Sequence, residues 1–196
     1  MAADDLPSLR ERKKLRTREV IRSQALQLFE KHGYANTTIV MIAEAADVSP
    51  RTFSRYFDSK ASLLIPDQLM DPIIAAFVAA PTDLTPVAAY RYALTQAFSA
   101  MAGDEWEPER SRQQLLYTLP EAQGALYSEY IHTIELIAEA IGMRLDRPAD
   151  DVDVRTTAGA ITGVLMNTLH GIPMDPKAIY RALDFLDAGL PLTERI

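Results

Sequence analysis

The sequence predicts an all-α fold, in which a three-helix head with a helix-turn-helix (residues 1–60) precedes a larger helical bundle, the body (residues 61–196). Apolar residues recur three and four positions apart along most of the chain, which is the spacing of amphipathic helices. A capping residue followed by proline opens a helix at Ser49-Pro50, Thr85-Pro86 and Asp175-Pro176. No segment alternates polar and apolar residues convincingly enough to indicate a strand.

The head is predicted to hold three helices after a basic amino-terminal run. The first helix is expected from about Lys14 to His32, with Gly33 as its left-handed cap. Thr37 is expected to cap the second helix, and Asp47 falls in the following turn, where the backbone needs a residue that tolerates positive φ. The third helix then starts at Ser49-Pro50.

The third helix separates aromatic from cationic side chains. Rotation by about 100° per residue places Phe53 and Phe57 on one side and Arg51 and Arg55 nearly opposite. Arginine pairs two hydrogen bonds with guanine O6 and N7, and the major groove of DNA admits a helix. The pattern therefore favours a DNA-reading helix, and an ordinary solvated surface is the alternative interpretation.

A fourth helix is expected to join head to body, from Ser59 to about Leu69. Pro66 and Pro72 fall where this helix would continue, and it should break or kink near Ile65 or Met70, because proline removes a backbone hydrogen bond. The later helices are expected at about 85–101, 107–118, 120–145, 150–170 and 175–187. Gly171 and Gly189 mark the ends of the last two.

Charge is distributed unevenly along a chain whose net charge is −7. Residues 1–60 hold 11 Lys and Arg against 8 Asp and Glu, whereas residues 61–196 hold 9 against 19. The basic run from Arg10 to Arg18 fits either an arm lying along phosphates or a solvated tail. The chain has no cysteine and no predicted membrane span or secretory signal, which fits a cytoplasmic protein.

The segment from Gly33 to Leu64 resembles the DNA-binding region of TetR-family bacterial transcriptional regulators. The pairs that carry the resemblance are Ile42-Ala43, Val48-Ser49, Thr52-Phe53, Tyr56-Phe57 and Ser59-Lys60. Two positions depart from the family pattern, because Asp47 replaces the usual glycine and Ser54 replaces a common aromatic residue. The resemblance implies double-stranded DNA as a partner. Arg51, Thr52 and Arg55 are expected to read bases from the helix that Ser49 caps, and the resemblance assigns phosphate contacts to Thr38, Tyr56 and Lys60.

The eighth predicted helix, at about 150–170, has almost no polar face. Gly159 and Gly163 lie four residues apart and would let another helix come close. We expect a second copy of the chain to cover this helix, because the resemblance implies a homodimer formed through the last two long helices. The alternative is a helix buried within one subunit. The expected interface residues are Gly159, Gly163, Leu165, Ile179, Leu183 and Leu186.

Aromatic and methionine side chains concentrate in the middle of the body. Such a set suits either a pocket for an apolar ligand or a plain core. The candidate pocket residues are Tyr90, Phe98, Met101, Trp106, Tyr117, Tyr127 and Tyr130. The basic run and the third helix also resemble a TetR subgroup that senses acyl-coenzyme-A-like molecules. The expected function is thus a repressor that such an apolar or acyl-CoA-like effector releases from a palindromic operator, and a DNA-binding protein without an effector is the alternative.

Catalysis has little support in the sequence. His32, His132 and His170 lack metal-ligand spacing, and no nucleophile elbow, P-loop or dinucleotide fingerprint occurs. We therefore expect no enzyme activity, no metal site and no cofactor.

Overall fold

The structure is a computed structural model, and it describes residues 9–65, 70–100, 106–170 and 175–191. Helices and turns make up these ranges, and no strand occurs within them, so the all-α prediction is confirmed. The chain divides into two compact units, Met1–Leu64 and Ile65–Ile196. We use head and body for these two units from here on.

The head contains three α-helices: α1 (Leu9–His32), α2 (Ile39–Ala45) and α3 (Pro50–Tyr56). Helix α1 begins before the predicted Lys14, so the basic run is helical from Leu9 onward. A short 3₁₀ turn, Ala61–Leu64, follows α3. The three helices and this turn share one apolar core, whose buried side chains are Ile21, Ala25, Phe29, Ile42, Ala43, Phe53, Phe57, Leu63 and Leu64.

The cap of α2 differs from the prediction. Thr38, and not Thr37, accepts a hydrogen bond from the Met41 amide at 3.2 Å. Thr37 is buried, and its hydroxyl donates to the carbonyl oxygen of Gly33 at 2.9 Å. Two adjacent threonines look equivalent in the sequence, and only the path of the preceding loop decides which hydroxyl meets the helix amide.

The turn between α2 and α3 confirms the role predicted for Asp47. Its φ of 52° lies in the left-handed region, where aspartate is tolerated better than most residues. The Val48 amide donates to the Ala43 carbonyl at 2.9 Å and closes the turn. Gly33, with φ of 80°, ends α1 as predicted.

The fourth helix, predicted from Ser59 to about Leu69 with a break near Ile65 or Met70, begins as a 3₁₀ turn over Ala61–Leu64, which ends next to the expected break at Ile65. Ser59 does cap the 3₁₀ turn, because its hydroxyl accepts from the Ser62 amide at 3.1 Å. The segment 66–69, including Pro66, lies outside the described residues. The next helix starts at Met70 and holds Pro72 in its first turn, where a missing amide costs little.

The body contains α4 (Met70–Val78), α5 (Pro86–Ala100), α6 (Trp106–Thr118), α7 (Gln123–Leu145), α8 (Val152–Leu169) and α9 (Pro176–Asp187). A 3₁₀ turn, Pro120–Ala122, precedes α7, so the long helix begins later than predicted. Asp151 caps α8 through the amides of Asp153 and Val154. Helices α4, α5, α7, α8 and α9 pack around the main apolar core.

Arg144 of α7 holds the carboxyl end of α4. Its guanidinium donates to the carbonyl oxygens of Phe77 at 2.9 Å, Ala80 at 2.8 Å and Pro81 at 2.9 Å. Carbonyls at a helix end lack partners within the helix, so this arginine completes hydrogen bonds that α4 cannot make alone.

None of the helices in the described ranges is both long enough and apolar enough to cross a lipid bilayer.

Candidate nucleic-acid interface and body cavity

Helix α3 is locked in place by its cap and its aromatic side. The Ser49 hydroxyl accepts from the Thr52 amide at 3.0 Å, and Pro50 occupies the first turn. Phe53 and Phe57 are buried, with ring centroids 5.7 Å apart. The buried side fixes the rotation of the helix, so the opposite side must face outward.

The outward side of α3 carries the residues predicted to meet DNA. Arg51 and Arg55 are exposed, whereas Thr52 and Tyr56 are half-buried. The Arg55 guanidinium carbon lies 5.2 Å from the centroid of the Tyr56 ring. Two arginines separated by one helical turn present donors suited to guanine edges or phosphates.

Two further arginines, which sequence reasoning did not assign to α3, hold the end of that helix. Arg18 of α1 donates to the Tyr56 carbonyl oxygen and lies 4.4 Å from the Phe57 ring centroid. Arg22 donates from Nε to the Leu63 carbonyl oxygen at 3.0 Å. Both residues lie on the face of α1 that buries Ala25. The helical spacing of positions 18, 22 and 25 was the sequence signal that these arginines face the rest of the head.

Thr38 and Lys60, two of the three candidates for phosphate contact, both make hydrogen bonds within the head. Thr38 is exposed and caps α2. The Lys60 ammonium donates to the carbonyl oxygens of Tyr34 at 2.6 Å and Thr37 at 2.9 Å, and lies 4.1 Å from the Tyr34 ring centroid. Two of its three donors are thus used to brace the loop before α2.

The body contains a partly open cavity of about 110 Å³. Of the predicted pocket residues, Tyr90, Phe98, Tyr117 and Tyr130 line it. The prediction is wrong for Tyr127, whose side chain is 67% exposed because Leu126 and Tyr130 occupy the inward side of α7. Met101 and the side chain of Trp106 lie outside the part of the molecule that the structure describes.

Polar side chains that sequence reasoning missed also line the cavity. The buried ones are Arg112, Gln113, Thr133 and Thr162. The Gln113 amide nitrogen donates to the Leu169 carbonyl oxygen at 3.1 Å, and the hydroxyls of Tyr117 and Tyr130 lie 3.4 Å apart. These residues sit on helices whose polar positions read as solvent-facing, and their burial depends on packing between helices far apart in sequence.

Tyr90 is the cavity residue with an unmet hydrogen-bonding need. It is fully buried, and in the described parts of the chain its hydroxyl has no hydrogen-bond partner. Burial also raises the pKa of this phenol above its ordinary value, because a phenolate would be desolvated. An unpaired buried hydroxyl is costly, so Tyr90 is suited to pair with a polar atom of a bound molecule.

Comparison with known proteins shows the family to which the chain belongs. The family described as "Bacterial regulatory proteins, tetR family" matches residues 21–65, and the "MftR C-terminal domain" matches residues 84–191. The chain belongs to the TetR family of transcriptional regulators. The matching families and the relatives below are transcriptional regulators, so this TetR-family protein is a DNA-binding regulator and not an enzyme.

Two curated relatives extend over most of this TetR-family chain. The HTH-type transcriptional regulator TcmR of Streptomyces glaucescens is 33% identical over 79% of this chain and 75% of its own length. A putative mycofactocin biosynthesis transcriptional regulator, MftR of Mycobacterium tuberculosis, is 26% identical over 91% of this chain and 93% of its own length.

Solved structures share the fold. A TetR-family regulator from Mesorhizobium loti covers 90% of this chain and 96% of its own, with a TM-score of 0.55 at 14% identity. SmeT, the repressor of the Stenotrophomonas maltophilia multidrug efflux pump SmeDEF, covers 88% of this chain and 89% of its own, with a TM-score of 0.56 at 23% identity.

The interface predicted for this TetR-family protein needs correction at two residues. Ile179 is 1% exposed and Leu183 is 0% exposed, because the apolar side of α9 packs against α5 and α8 of the same chain. Leu165 lines the body cavity, and Leu186 is half-buried.

The two glycines of α8 lie on its more open side. Gly163 is exposed and Gly159 is half-buried, and a Cβ built on either would meet nothing within 4 Å. Met166 is exposed beside them. Within the subunit α8 is covered on one side only: Val154, Ala158, Ile161 and Thr162 are buried in their own chain, and the glycine side is open. The alternative of a helix buried entirely within one subunit is therefore not met.

Proposed function

We propose that this TetR-family regulator is a homodimeric repressor that a largely apolar small molecule releases from a two-fold symmetric operator. The observation that carries the proposal is the body cavity, where the Tyr90 phenol, without a partner among the described residues, lies between mainly apolar walls with a few buried polar side chains. A solidly packed body would instead favour a DNA-binding protein without an effector.

The proposed division of labour in the head follows the exposed side of α3. Arg51, Thr52 and Arg55 read base edges, and Tyr56 holds a phosphate beside them. Replacing Arg51 with Ala should cost roughly 1–3 kcal/mol of discrimination between an operator and a mismatched duplex. Lys31→Ala removes an exposed cation elsewhere on the head and serves as the control. Equal loss of discrimination in both variants would contradict this assignment.

Dimerisation is proposed because one head binds weakly, whereas two linked heads reinforce each other if their spacing matches successive major grooves. The open side of α8 offers a surface, and Gly163→Arg fills space that is empty in the subunit. This variant should become monomeric and lose operator affinity, whereas Met143→Arg, at an exposed site on α7, should do neither. Sedimentation that shows a native monomer at micromolar concentration with full operator affinity would overturn the dimer.

The effector is proposed to be small or to bury only one end, because the cavity of about 110 Å³ is below the usual range of roughly 300–1,000 Å³. An acyl-CoA-like molecule would place only acyl atoms inside. Release from DNA depends on differential affinity for two states, so a hundredfold loss of DNA affinity requires about 2.7 kcal/mol of coupling.

The test is native mass spectrometry of molecules that the purified protein retains, followed by operator binding with and without each one. Tyr90→Phe should weaken the response to an effector that pairs with the hydroxyl, and Tyr127→Phe should not, since that phenol is exposed. If no retained or added compound, acyl-CoA esters included, changes operator affinity, the regulator acts without an effector.

A further inference from the structure

A second basic surface adjoins the recognition helix. The amino-terminal turns of α1 and the end of α3 form a groove of about 660 Å³. The described residues that line it are Leu9, Arg10, Lys13, Lys14, Thr17, Arg55 and Tyr56. Four of these are cations and none is a carboxylate, although the whole chain carries a net charge of −7.

Only one side of the basic run lines the groove. Positions 10, 13, 14 and 17 follow helical spacing and share a face of α1. Arg12 and Arg16 are also exposed, but about 100° of rotation per residue turns them to the other side. The basic run therefore divides into a groove face and an outer face, which the sequence interpretation as a uniform arm or tail did not separate.

The two walls of the groove are fixed relative to each other. Arg18 lies one turn beyond Lys14 on α1, donates to the Tyr56 carbonyl oxygen and stacks over the Phe57 ring. Tyr56 and Arg55 are also the last residues of α3. A ligand in the groove would thus lie in constant register with the side chains that meet DNA bases.

We propose that this groove binds the sugar-phosphate backbone of the DNA strand that borders the major groove receiving α3. This inference rests on the proposed base reading by α3. Lysine is a compact point charge suited to phosphate, and closely spaced cations without carboxylates match a polyanion better than a small apolar ligand. The first turns of α1 then act as a phosphate clamp that adds affinity and leaves sequence preference unchanged.

Two charge-matched variants test the clamp. Lys13→Gln with Lys14→Gln removes two cations from the groove face, whereas Arg12→Gln with Arg16→Gln removes two from the outer face of the same helix. The probe is a duplex that the native protein selects from a random-sequence library. Both variants change the net charge equally. A difference between them therefore reflects where the cations lie on α1 and not the electrostatic field of the whole protein.

We expect the groove variant to make the negative slope of log affinity against log salt shallower by about 0.9 for each phosphate that the protein no longer neutralises, up to about 1.8 per subunit. The outer-face variant should keep a slope close to that of the native protein. The affinity ratio between the selected duplex and a scrambled duplex should be unchanged in both. Equal slopes for the two variants, with native helicity by circular dichroism, would overturn the clamp.

Neutral methylphosphonate links, placed one at a time in the probe, locate the bound phosphates. Native protein should lose affinity when a few links bordering the base contacts are neutral. The groove variant should lose no further affinity at those same links, because it no longer contacts those phosphates. An additive loss at every link would overturn the clamp. If Arg51→Ala also retains full discrimination, the proposed base reading fails as well, so the two failures are distinguishable.

Discussion

The head and the body differ in how many polar side chains they bury. Among the described residues, the head buries one polar side chain, Thr37, and satisfies it with backbone carbonyls. The body buries Arg112, Gln113, Thr133 and Thr162, and also the unpartnered hydroxyl of Tyr90. Burial of polar groups is costly unless they are paired. The exposed cations of the head suit the proposed contact with a polyanion, and the buried polar groups of the body suit the proposed effector site.

The largest expected effect separates the two cores. Phe53→Ala leaves a cavity in the core of the head and should lower its free energy of unfolding by about 3–5 kcal/mol, because the ring is fully buried. Amide hydrogen exchange should then lose protection in residues 9–65 and keep it in residues 70–191. Phe77→Ala, at a fully buried ring of the body, should show the reverse. Equal loss of protection in both units for both variants would contradict the comparison.

Lys60→Ala should destabilise the head by about 1.5–3 kcal/mol in the absence of DNA, since two charged hydrogen bonds to Tyr34 and Thr37 are removed. Urea unfolding of the free protein measures this effect. Lys31→Ala, an exposed cation on α1, should be close to neutral. If Lys60→Ala leaves the free protein unchanged and weakens only DNA binding, the phosphate role implied by family resemblance is the better one.

Tyr90→Phe should stabilise the ligand-free protein by about 1 kcal/mol, which corresponds to roughly 2–4 °C in Tm, because it removes a buried hydroxyl without a partner. Tyr130→Phe is the matched control, since its hydroxyl faces that of Tyr117 and its loss should bring no gain. A lower Tm for Tyr90→Phe would mean that the hydroxyl is already satisfied.

The smallest effect concerns the cap of α8. The Val154 amide is the main cause that lowers the pKa of Asp151, and Arg147 adds to it. A carboxylate with a lowered pKa stabilises the fold above its ordinary pKa, and this stabilisation is lost as pH falls through the lowered value. Asp151→Asn should therefore flatten the acid limb of the stability curve, measured by urea midpoints at several pH values. Asp150→Asn, at an exposed neighbour, is the charge-matched control.

Much of the head was predictable because its geometry is local. The left-handed Asp47, the cap at Ser49 and the outward Arg51 each depend on hydrogen bonds or rotation within a few residues. Predictions failed where contact with residues distant in the sequence decides whether a side chain is buried. Ile179 and Leu183 form an apolar stripe that fits a partner subunit as well as an internal core, and packing against α5 and α8 placed it inside.

The sequence alone determined the helical class, most helix ends and the side of α3 that faces outward, because backbone hydrogen bonds in helices join residues four apart. The tertiary structure decided which polar atoms meet. Gln113 reaches Leu169, Arg144 reaches Phe77 and Lys60 reaches Tyr34, all across long stretches of chain. No local pattern encodes these pairs, since each depends on how two helices or a helix and a loop come together. The cavity depends on the same packing, so its lining emerged only when all the body helices were in place.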